Sequence, residues 1–363
     1  MHPVRVACFA LSFSGLFGCA SAPPAHTSVP AAPDVAAVPE DPADATGFYE
    51  RACGSGDGEG CFNLGLNRQK GRGVAVDLVG ARTAYAEGCS RGFALACTNL
   101  GYLHQHALGT PKDEVMAASF YTLGCEAAEP DPKACANLAV FYRRGRGVPS
   151  DAARAAVLFE KACDGGEPDA CANLGTMYGA GEGVVRDDAR AASLYEAGCE
   201  AGSALGCYNL GVVTAEGIGV AADAARAAEL FRRSCEGGDA VGCNEFGMAL
   251  LRGTGVAEDH EAAAGFFLRA CDGDELKGCV NLAVHLATGD GVPRDEEAAV
   301  ALYRRACEGG VAIGCHNLAA RYADGSGVPV DGARAAALYE KACALGYEPD
   351  CGSAEQTGKG RND

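Results

Sequence analysis

Cysteine is the chemically reactive residue whose spacing in this sequence is the most regular. The chain holds 20 cysteines in 363 residues, and 18 of them fall into nine pairs. The pairs are Cys53/Cys61, Cys89/Cys97, Cys125/Cys135, Cys163/Cys171, Cys199/Cys207, Cys235/Cys243, Cys271/Cys279, Cys307/Cys315 and Cys343/Cys351. Seven residues separate the partners in every pair except the third, where nine do, and the pairs recur every 36 residues apart from one step of 38. A fixed period of this length indicates an array of stacked repeats.

Paired thiols can form a disulfide or bind a metal ion, and the spacing favours the disulfide. Two cysteines eight positions apart on one helix lie about 12 Å apart, whereas a disulfide requires Cα atoms within about 4.4–6.8 Å. The chain must therefore turn between the partners, and segments such as Gly237-Gly238 allow it to do so. Zinc-binding pairs are normally roughly two to four residues apart. We therefore expect nine disulfides, no metal site and an oxidising compartment.

The residues between the cysteine pairs predict two helices in each repeat. After a glycine-containing turn comes an Asp, then an Ala four residues later, an aromatic residue after four more, and then the Cys. Asp is a preferred N-cap residue, and side chains at four-residue steps share one helix face. The Asp residues are Asp77, Asp113, Asp151, Asp187, Asp223, Asp259, Asp295 and Asp331, and the aromatic residues are Tyr85, Tyr121, Phe159, Tyr195, Phe231, Phe267, Tyr303 and Tyr339. We expect the aromatic residues to pack between helices, and the glycines to supply positive φ angles where helices end.

These repeats predict an all-α protein. A half-repeat at residues 41–60 precedes eight repeats that start at Cys61, so the array covers residues 41–351. The predicted fold is a right-handed α/α superhelical solenoid of helix-turn-helix repeats with disulfide bridges. The polar segment 352–363 is predicted to be a disordered tail.

The N-terminal segment has the layout of an export signal. Residues 1–18 carry a weakly positive start, an apolar middle and a small residue near the cut. The Leu-Phe-Gly-Cys motif at 16–19 resembles a bacterial lipobox, which implies a lipidated Cys19 and a periplasmic protein anchored to the outer membrane. The alternative is an ordinary signal peptide that is cut nearby. The segment 19–40 is rich in Ala and Pro and predicts a disordered tether.

The charge of the chain limits its partners. The formal net charge is −18 and the isoelectric point is about 4.8. Because an acidic surface repels nucleic acid and anionic lipid, no nucleic-acid partner is expected. The sequence has no run of 18 or more apolar residues, so the lipid anchor is the one membrane contact that we expect.

One repeat shows the family that the chain resembles. Residues 170–184 read Ala-Cys-Ala-Asn-Leu-Gly-Thr-Met-Tyr-Gly-Ala-Gly-Glu-Gly-Val, and Asp187, Ala191 and Tyr195 follow. This pattern resembles a Sel1-like repeat, a relative of the tetratricopeptide repeat. With a cysteine pair in every repeat, the chain is similar to the cysteine-rich secreted Sel1-like proteins of the Helicobacter type. The resemblance implies a superhelix with a concave groove and a scaffold that binds a protein or peptide partner.

The same resemblance implies a second hypothesis, the β-lactamase or penicillin-binding activity described for the cysteine-rich branch. A serine β-lactamase needs a Ser three residues before a Lys, and no Ser-x-x-Lys occurs in this sequence. The histidines are scattered, and the one close pair, His104 and His106, is interpreted as a solvated loop feature or a weak metal site. No catalytic residue and no cofactor is predicted.

The candidate binding residues are asparagines that we call the asparagine ladder. They lie on the first helix of each repeat, two residues after the leading Cys, and are Asn63, Asn99, Asn137, Asn173, Asn209, Asn281 and Asn317. Glu245 occupies the ladder position of the remaining repeat. An amide both donates and accepts hydrogen bonds, so the ladder can hold an extended peptide backbone. Alternatively, the amides bond neighbouring helices and keep the repeats in register.

Overall fold

The structure is a computed structural model that describes residues 41–351, and within this range it contains seventeen α-helices, one 3-10 turn and no strand. The helices are α1 Pro42–Ser55, α2 Gly58–Lys70, α3 Leu78–Ser90, α4 Ala94–Gln105, α5 Glu114–Glu126, α6 Pro132–Arg144, α7 Ala152–Asp164, α8 Pro168–Ala180, α9 Asp188–Glu200, α10 Ala204–Glu216, α11 Ala224–Glu236, α12 Ala240–Arg252, α13 His260–Asp272, α14 Leu276–Thr288, α15 Glu296–Glu308, α16 Ala312–Asp324 and α17 Gly332–Ala344. The 3-10 turn spans Glu348–Asp350. The predicted signal peptide, Cys19, the tether and the tail at 352–363 lie outside the described residues.

The helices form a chain of antiparallel pairs in which each helix contacts the one before it and the one after it. After α1, every even-numbered helix is the first helix of a repeat and every odd-numbered helix is the second. This arrangement confirms the predicted all-α repeat fold. In the described part, no helix is long and apolar enough to span a membrane.

Each second helix begins at the Asp predicted to cap it. In α11, Asp223 Oδ1 accepts a hydrogen bond from the backbone N–H of Arg226 at 2.9 Å, and the same contact recurs in every repeat. The bond satisfies one of the amides that the first turn of a helix leaves without a partner. The sequence pattern thus sets where the second helices start.

The aromatic residue of each second helix packs against the first helix of its repeat. Tyr85, Tyr121, Phe159 and Phe267 are almost completely buried. Burial raises the pKa of the Tyr85 and Tyr121 hydroxyl groups, and each hydroxyl group donates a 2.7 Å hydrogen bond to a Gln side chain. These contacts confirm the packing role that the four-residue spacing predicted.

Disulfides join consecutive repeats, and all nine predicted pairs are formed. Their Cα atoms lie between 4.4 Å apart in the first pair and 4.9 Å apart in the last. From α1 to α16, each bond crosses the turn between a second helix and the first helix of the next repeat. The bonded cysteines, and the turn between the two cysteines of each bond, are therefore those predicted from the spacing. The bonds are Cys53–Cys61, Cys89–Cys97, Cys125–Cys135, Cys163–Cys171, Cys199–Cys207, Cys235–Cys243, Cys271–Cys279, Cys307–Cys315 and Cys343–Cys351.

In the eight bonds whose second cysteine lies on a first helix, that cysteine is buried. Cys351 of the ninth bond follows the 3-10 turn and is exposed. Burial limits the access of reducing thiols, because exchange requires direct attack on a sulfur atom. The bond between Cys125 and Cys135 is formed in the same way as the others, so the two extra residues only lengthen its turn. The buried first-helix cysteines are Cys61, Cys97, Cys135, Cys171, Cys207, Cys243, Cys279 and Cys315.

At four of the disulfides, a Lys or Arg side chain also donates a hydrogen bond to the carbonyl group of a bonded cysteine, and the sequence did not predict this contact. Lys161 Nζ lies 2.6 Å from the carbonyl oxygen of Cys125. Arg269 Nη2 lies 3.1 Å from that of Cys235, and Arg233 and Lys341 make the equivalent contacts. In each case the cation comes from the following second helix and satisfies a carbonyl group near the end of the preceding one. Successive second helices are thereby held together at the same end.

Glycines allow close approach where the loop after a first helix reaches the preceding repeat. Gly219 has φ +69, and a Cβ atom there would lie 2.1 Å from the carbonyl oxygen of Asp188 at the start of α9. Gly238, in a disulfide turn, also has a positive φ of +92, but a Cβ atom there would meet nothing within 4 Å. A side chain at Gly238 would therefore have only an unfavourable backbone conformation, whereas one at Gly219 would also clash with the backbone of α9.

We predict that Gly219→Ala destabilises the array more than Gly238→Ala. A positive φ costs an L-residue roughly 1–2 kcal/mol, which applies to both variants, whereas the clash with the α9 backbone applies to Gly219 alone. Thermal unfolding midpoints, together with amide exchange of the first turn of α9, measure the difference. Equal midpoints and unchanged exchange at α9 would contradict the close contact.

Candidate binding face

The first helices expose one side, which we call the first-helix face. In α12 it comprises Glu245, Met248, Ala249 and Arg252, whereas Phe246 is turned into the core. First helices of consecutive repeats also contact each other, as α8 contacts α10 and α12 contacts α14, more extensively than most consecutive second helices do in residues 41–351. First helices of several consecutive repeats therefore lie close together along this face.

All seven members of the asparagine ladder are half-buried on this face. Asn281 Nδ2 donates a 2.9 Å hydrogen bond to Oδ1 of Asn244 on the preceding first helix. Asn173 Nδ2 donates to the carbonyl oxygen of Asp169 in its own helix at 2.8 Å. The Asn99 amide interacts with the Tyr85 hydroxyl group and so lowers its pKa, although burial, the larger effect, raises it. The ladder residues therefore share a face, but their described contacts differ from repeat to repeat.

Three pockets lie along the first-helix face. The first, of about 240 Å³, includes Asn137 and Asn173 and lies between α6 and α8. The second, of about 300 Å³, lies between α10 and α12 over Phe231. The third, of about 570 Å³, lies between α12, α14 and α16 and includes Asn281. These three pockets lie between first helices, and further pockets lie at the disulfide turns beside Phe93 and Cys207.

The second and third pockets meet at the repeat in which the ladder is interrupted. Both are lined by Glu245, Met248 and Arg252 of α12. Asn244 Nδ2 donates a 3.2 Å hydrogen bond to Oε1 of Glu245. Because Asn244 in turn accepts from Asn281, a short chain of amides orients the carboxylate. The sequence marked Glu245 as an exception but did not indicate that two pockets adjoin it.

Other residues of these pockets were missed in the sequence analysis. Arg252 ends α12, Lys277 lies in the first turn of α14, and Tyr347 follows α17. Lys or Arg recurs at the Arg252 position only as Lys70 and Arg144, and at the Lys277 position only as Lys133, so no regular period distinguishes these residues from ordinary surface positions. They are identified here by the pocket that they share.

The comparison with family models decides the identity of the repeats. A model described as "Sel1 repeat" matches residues 58–83, 94–128, 132–167, 168–203, 204–239, 240–275, 276–311 and 312–347. The chain belongs to the Sel1 repeat family. The eight matched Sel1 repeats coincide with the eight helix pairs from α2 to α17.

Solved structures of Sel1 repeat proteins are similar to this chain. A protective antigen of uropathogenic Escherichia coli with an SLR fold is 25% identical, with a TM-score of 0.71, covering 86% of this chain and 67% of that chain. A Sel1 repeat protein from Oxalobacter formigenes is 23% identical, with a TM-score of 0.60, covering 88% of this chain and 94% of that chain. Helicobacter pylori cysteine rich protein B is 27% identical, with a TM-score of 0.31, covering 36% of this chain and 94% of that chain. No curated protein sequence matches this one.

His104 and His106 have different surroundings in the structure. His106 is exposed and stacks on Tyr102, whereas His104 is half-buried against Phe120, so the solvated-loop interpretation holds for His106 and is wrong for His104. Within residues 41–351, no group of three or more His, Cys, Asp or Glu side chains is arranged to hold a metal ion.

A histidine between two carboxylates links two Sel1 repeats. His260 Nδ1 lies 2.6 Å from Asp290 Oδ1, and His260 Nε2 lies 2.8 Å from Glu258 Oε1. Both ring nitrogens donate only when the imidazole is protonated. These hydrogen bonds, that to Asp290 first, raise the pKa of His260 above its usual value. Nearby, buried His285 donates from Nδ1 to the carbonyl oxygen of Asp290 at 2.7 Å.

We predict that the stabilising contact of His260 depends on pH. Because the pKa of His260 is raised in the folded state, its contribution to stability is complete below the unfolded value of about 6.5 and is lost as pH rises through the folded value. An NMR titration of the imidazole should give a pKa above about 6.5, and Asp290→Asn should lower it. Asp274→Asn, which removes a carboxylate paired with Arg305, is the control and should leave the pKa of His260 unchanged. A pKa of His260 below the usual value in the unaltered protein would contradict the arrangement.

Proposed function

We propose that this protein is an exported scaffold of the bacterial envelope that binds protein or peptide partners on the first-helix face of its Sel1 repeats. The observation that carries the proposal is the line of pockets between consecutive first helices, at α6/α8, α10/α12 and α12/α16. Extended peptides place alternate side chains on opposite sides. Such a ligand can fill successive pockets while its backbone amides reach the half-buried asparagines of the ladder.

The outer surface of the second helices is a less suitable binding surface, because its charged side chains pair with one another. Arg190 pairs with Glu160 at 2.8 Å, and Arg226 pairs with Glu196, each linking one second helix to the preceding one. Those charged groups already have partners in the array. A ligand that docked there would have to displace them, whereas on the first-helix face pocket residues such as Arg252 and Lys277 have no ion-pair partner within residues 41–351.

Export is supported by the nine disulfides, because structural disulfides persist in oxidising compartments. The proposal includes lipidation of Cys19 and a periplasmic array anchored to the outer membrane through the segment 19–40. A single acyl chain gives marginal membrane binding, so a lipobox cysteine with several chains would hold the protein firmly. The β-lactamase hypothesis rests on the family resemblance alone, and no contact among the described residues favours it over binding.

Site-specific photo-crosslinking tests the proposed face. We predict that benzoylphenylalanine at Met248, which lines two pockets, forms adducts with envelope proteins of the producing cells. The control position is Leu268 on α13, an apolar side chain that is 48% exposed on a second helix, and it should give few adducts. Equal adducts from both positions, or adducts from Leu268 alone, would place the binding surface elsewhere.

The anchor has its own prediction. Cys19→Ser should abolish incorporation of labelled fatty acid and move the protein from the membrane fraction to the soluble fraction, because the thiol that carries the lipid is removed. Cys8→Ser is the matched control, since Cys8 precedes the lipobox. Unchanged labelling of Cys19→Ser would show that this cysteine is not the lipidated residue.

A further inference from the structure

Two cations in the C-terminal half of the array differ from all the others. Between residues 151 and 351, every other Lys and Arg side chain contacts a carboxylate, a backbone carbonyl group, a hydroxyl group or an aromatic ring. Arg252 and Lys277 make no such contact among the described residues. Both are exposed, and both line the same pocket of about 570 Å³.

Their lack of partners does not come from a shortage of carboxylates. Acidic residues outnumber basic ones in this half of the sequence, and the whole chain has a net charge of −18. The acidic side chain that lines this pocket is Glu245, which accepts a hydrogen bond from Asn244 and forms no ion pair with either cation. An unpaired positive pair on an acidic protein is complementary to an anionic group of a ligand.

Apolar space lies on both sides of the two cations. Arg252 lines the pocket of about 300 Å³ together with Val212 and Phe231. It also lines the larger pocket, where Val280 and Ile313 supply the apolar surface. A ligand chain that places a charged group at Arg252 therefore has room for an apolar side chain before it and another after it.

We propose that this part of the first-helix face binds an extended segment of a partner protein that carries an internal Asp or Glu side chain between apolar side chains. Arg252 holds the carboxylate, Lys277 adds positive charge to the same pocket, and the two pockets hold the flanking apolar groups. The proposal rests on the proposed function and specifies its ligand. Because the groove continues past Arg252 in both directions, the carboxylate belongs to a side chain within the segment and not to a chain terminus.

Arg252 and Lys277 contribute differently to recognition of the carboxylate. The guanidinium group of Arg252 can take a carboxylate in two parallel hydrogen bonds, which fixes its orientation, whereas the ammonium group of Lys277 acts as a point charge. The amides of Asn244 and Asn281 already bond each other and so hold the wall of the pocket beside the carboxylate. Salt should weaken this binding, since the cations are exposed and screened.

A peptide selection tests the inference with the full chain immobilised. The probe is a display library of random nonapeptides with both ends embedded in carrier sequence, so that no free carboxyl terminus is offered. We expect enriched sequences with an Asp or Glu flanked by apolar residues. A synthetic peptide of the enriched sequence, blocked at both ends, should bind about tenfold more tightly than its Glu→Gln version, as expected for loss of a charged hydrogen bond.

Substitutions of Arg252 and Lys277 test whether these two side chains cause the preference for the Glu peptide. Arg252→Gln with Lys277→Gln should weaken the Glu peptide about tenfold and leave the Gln peptide unchanged. Both side chains are exposed and unpaired, so the fold should persist, which far-UV circular dichroism checks. The control is Lys70→Gln with Arg72→Gln, which removes the same charge outside the pockets and should leave both peptides unaffected.

The possible failures are distinguishable. Enriched peptides without an acidic residue, or Glu peptides that bind the double variant as well as the unaltered protein, overturn the carboxylate site and leave peptide binding by the first-helix face intact. Preference for a peptide that ends in a free carboxylate over the blocked peptide overturns the internal side chain. If no peptide is enriched and Met248 forms no crosslink, the proposed function fails together with this inference.

Discussion

The junction between consecutive repeats is the contact on which the rest of the structure depends. There a disulfide joins the end of one second helix to the start of the next first helix, and in several repeats a Lys or Arg from the following second helix bonds the Cys carbonyl group. A loop of this length gives a disulfide roughly 2–3 kcal/mol of stabilisation. The core of each repeat is built of Ala and Cys together with large apolar side chains from both helices, such as Leu174 and Tyr195. The covalent junctions add to this packing and limit fraying from the ends of the array.

The features that the sequence predicted and those that it did not differ in physical origin. The 36-residue period, the Asp caps and the aromatic positions follow from contacts within one helix or one turn, which a periodic pattern reports directly. The contact of Gly219 with Asp188, and that of Arg269 with the carbonyl group of Cys235, depend on how one repeat is rotated against the next. Sequence spacing contains no measure of that rotation. Likewise Ala107 and Asp274 adopt positive φ angles where most repeats have Gly, because the surrounding fold imposes the turn on whichever residue is present.

In the candidate site too, the sequence predicted the features that recur in most repeats but not those that depend on contacts between repeats. The asparagines of the ladder lie at one position of the first helices, but a residue that recurs in nearly every repeat is as readily explained by repeat packing as by binding. The structure distinguishes the repeats: the amide of Asn281 bonds the preceding first helix, whereas that of Asn173 bonds its own backbone. Two adjoining pockets meet at the repeat that departs from the pattern, at Glu245. In a regular array, specificity must arise where repeats differ, since identical repeats present identical surfaces.

The pockets also define how much of the array a partner requires. Each lies between two or three first helices, so no single repeat forms a binding site alone. The position of one wall relative to the other is therefore set by the repeat junctions. Ordering a flexible groove would consume part of the binding free energy, and covalent junctions reduce that cost before the ligand arrives. In the proposed mode of binding, the disulfides act without touching a ligand: they hold Arg252 of α12 and Lys277 of α14 in one pocket, although the two residues belong to different repeats.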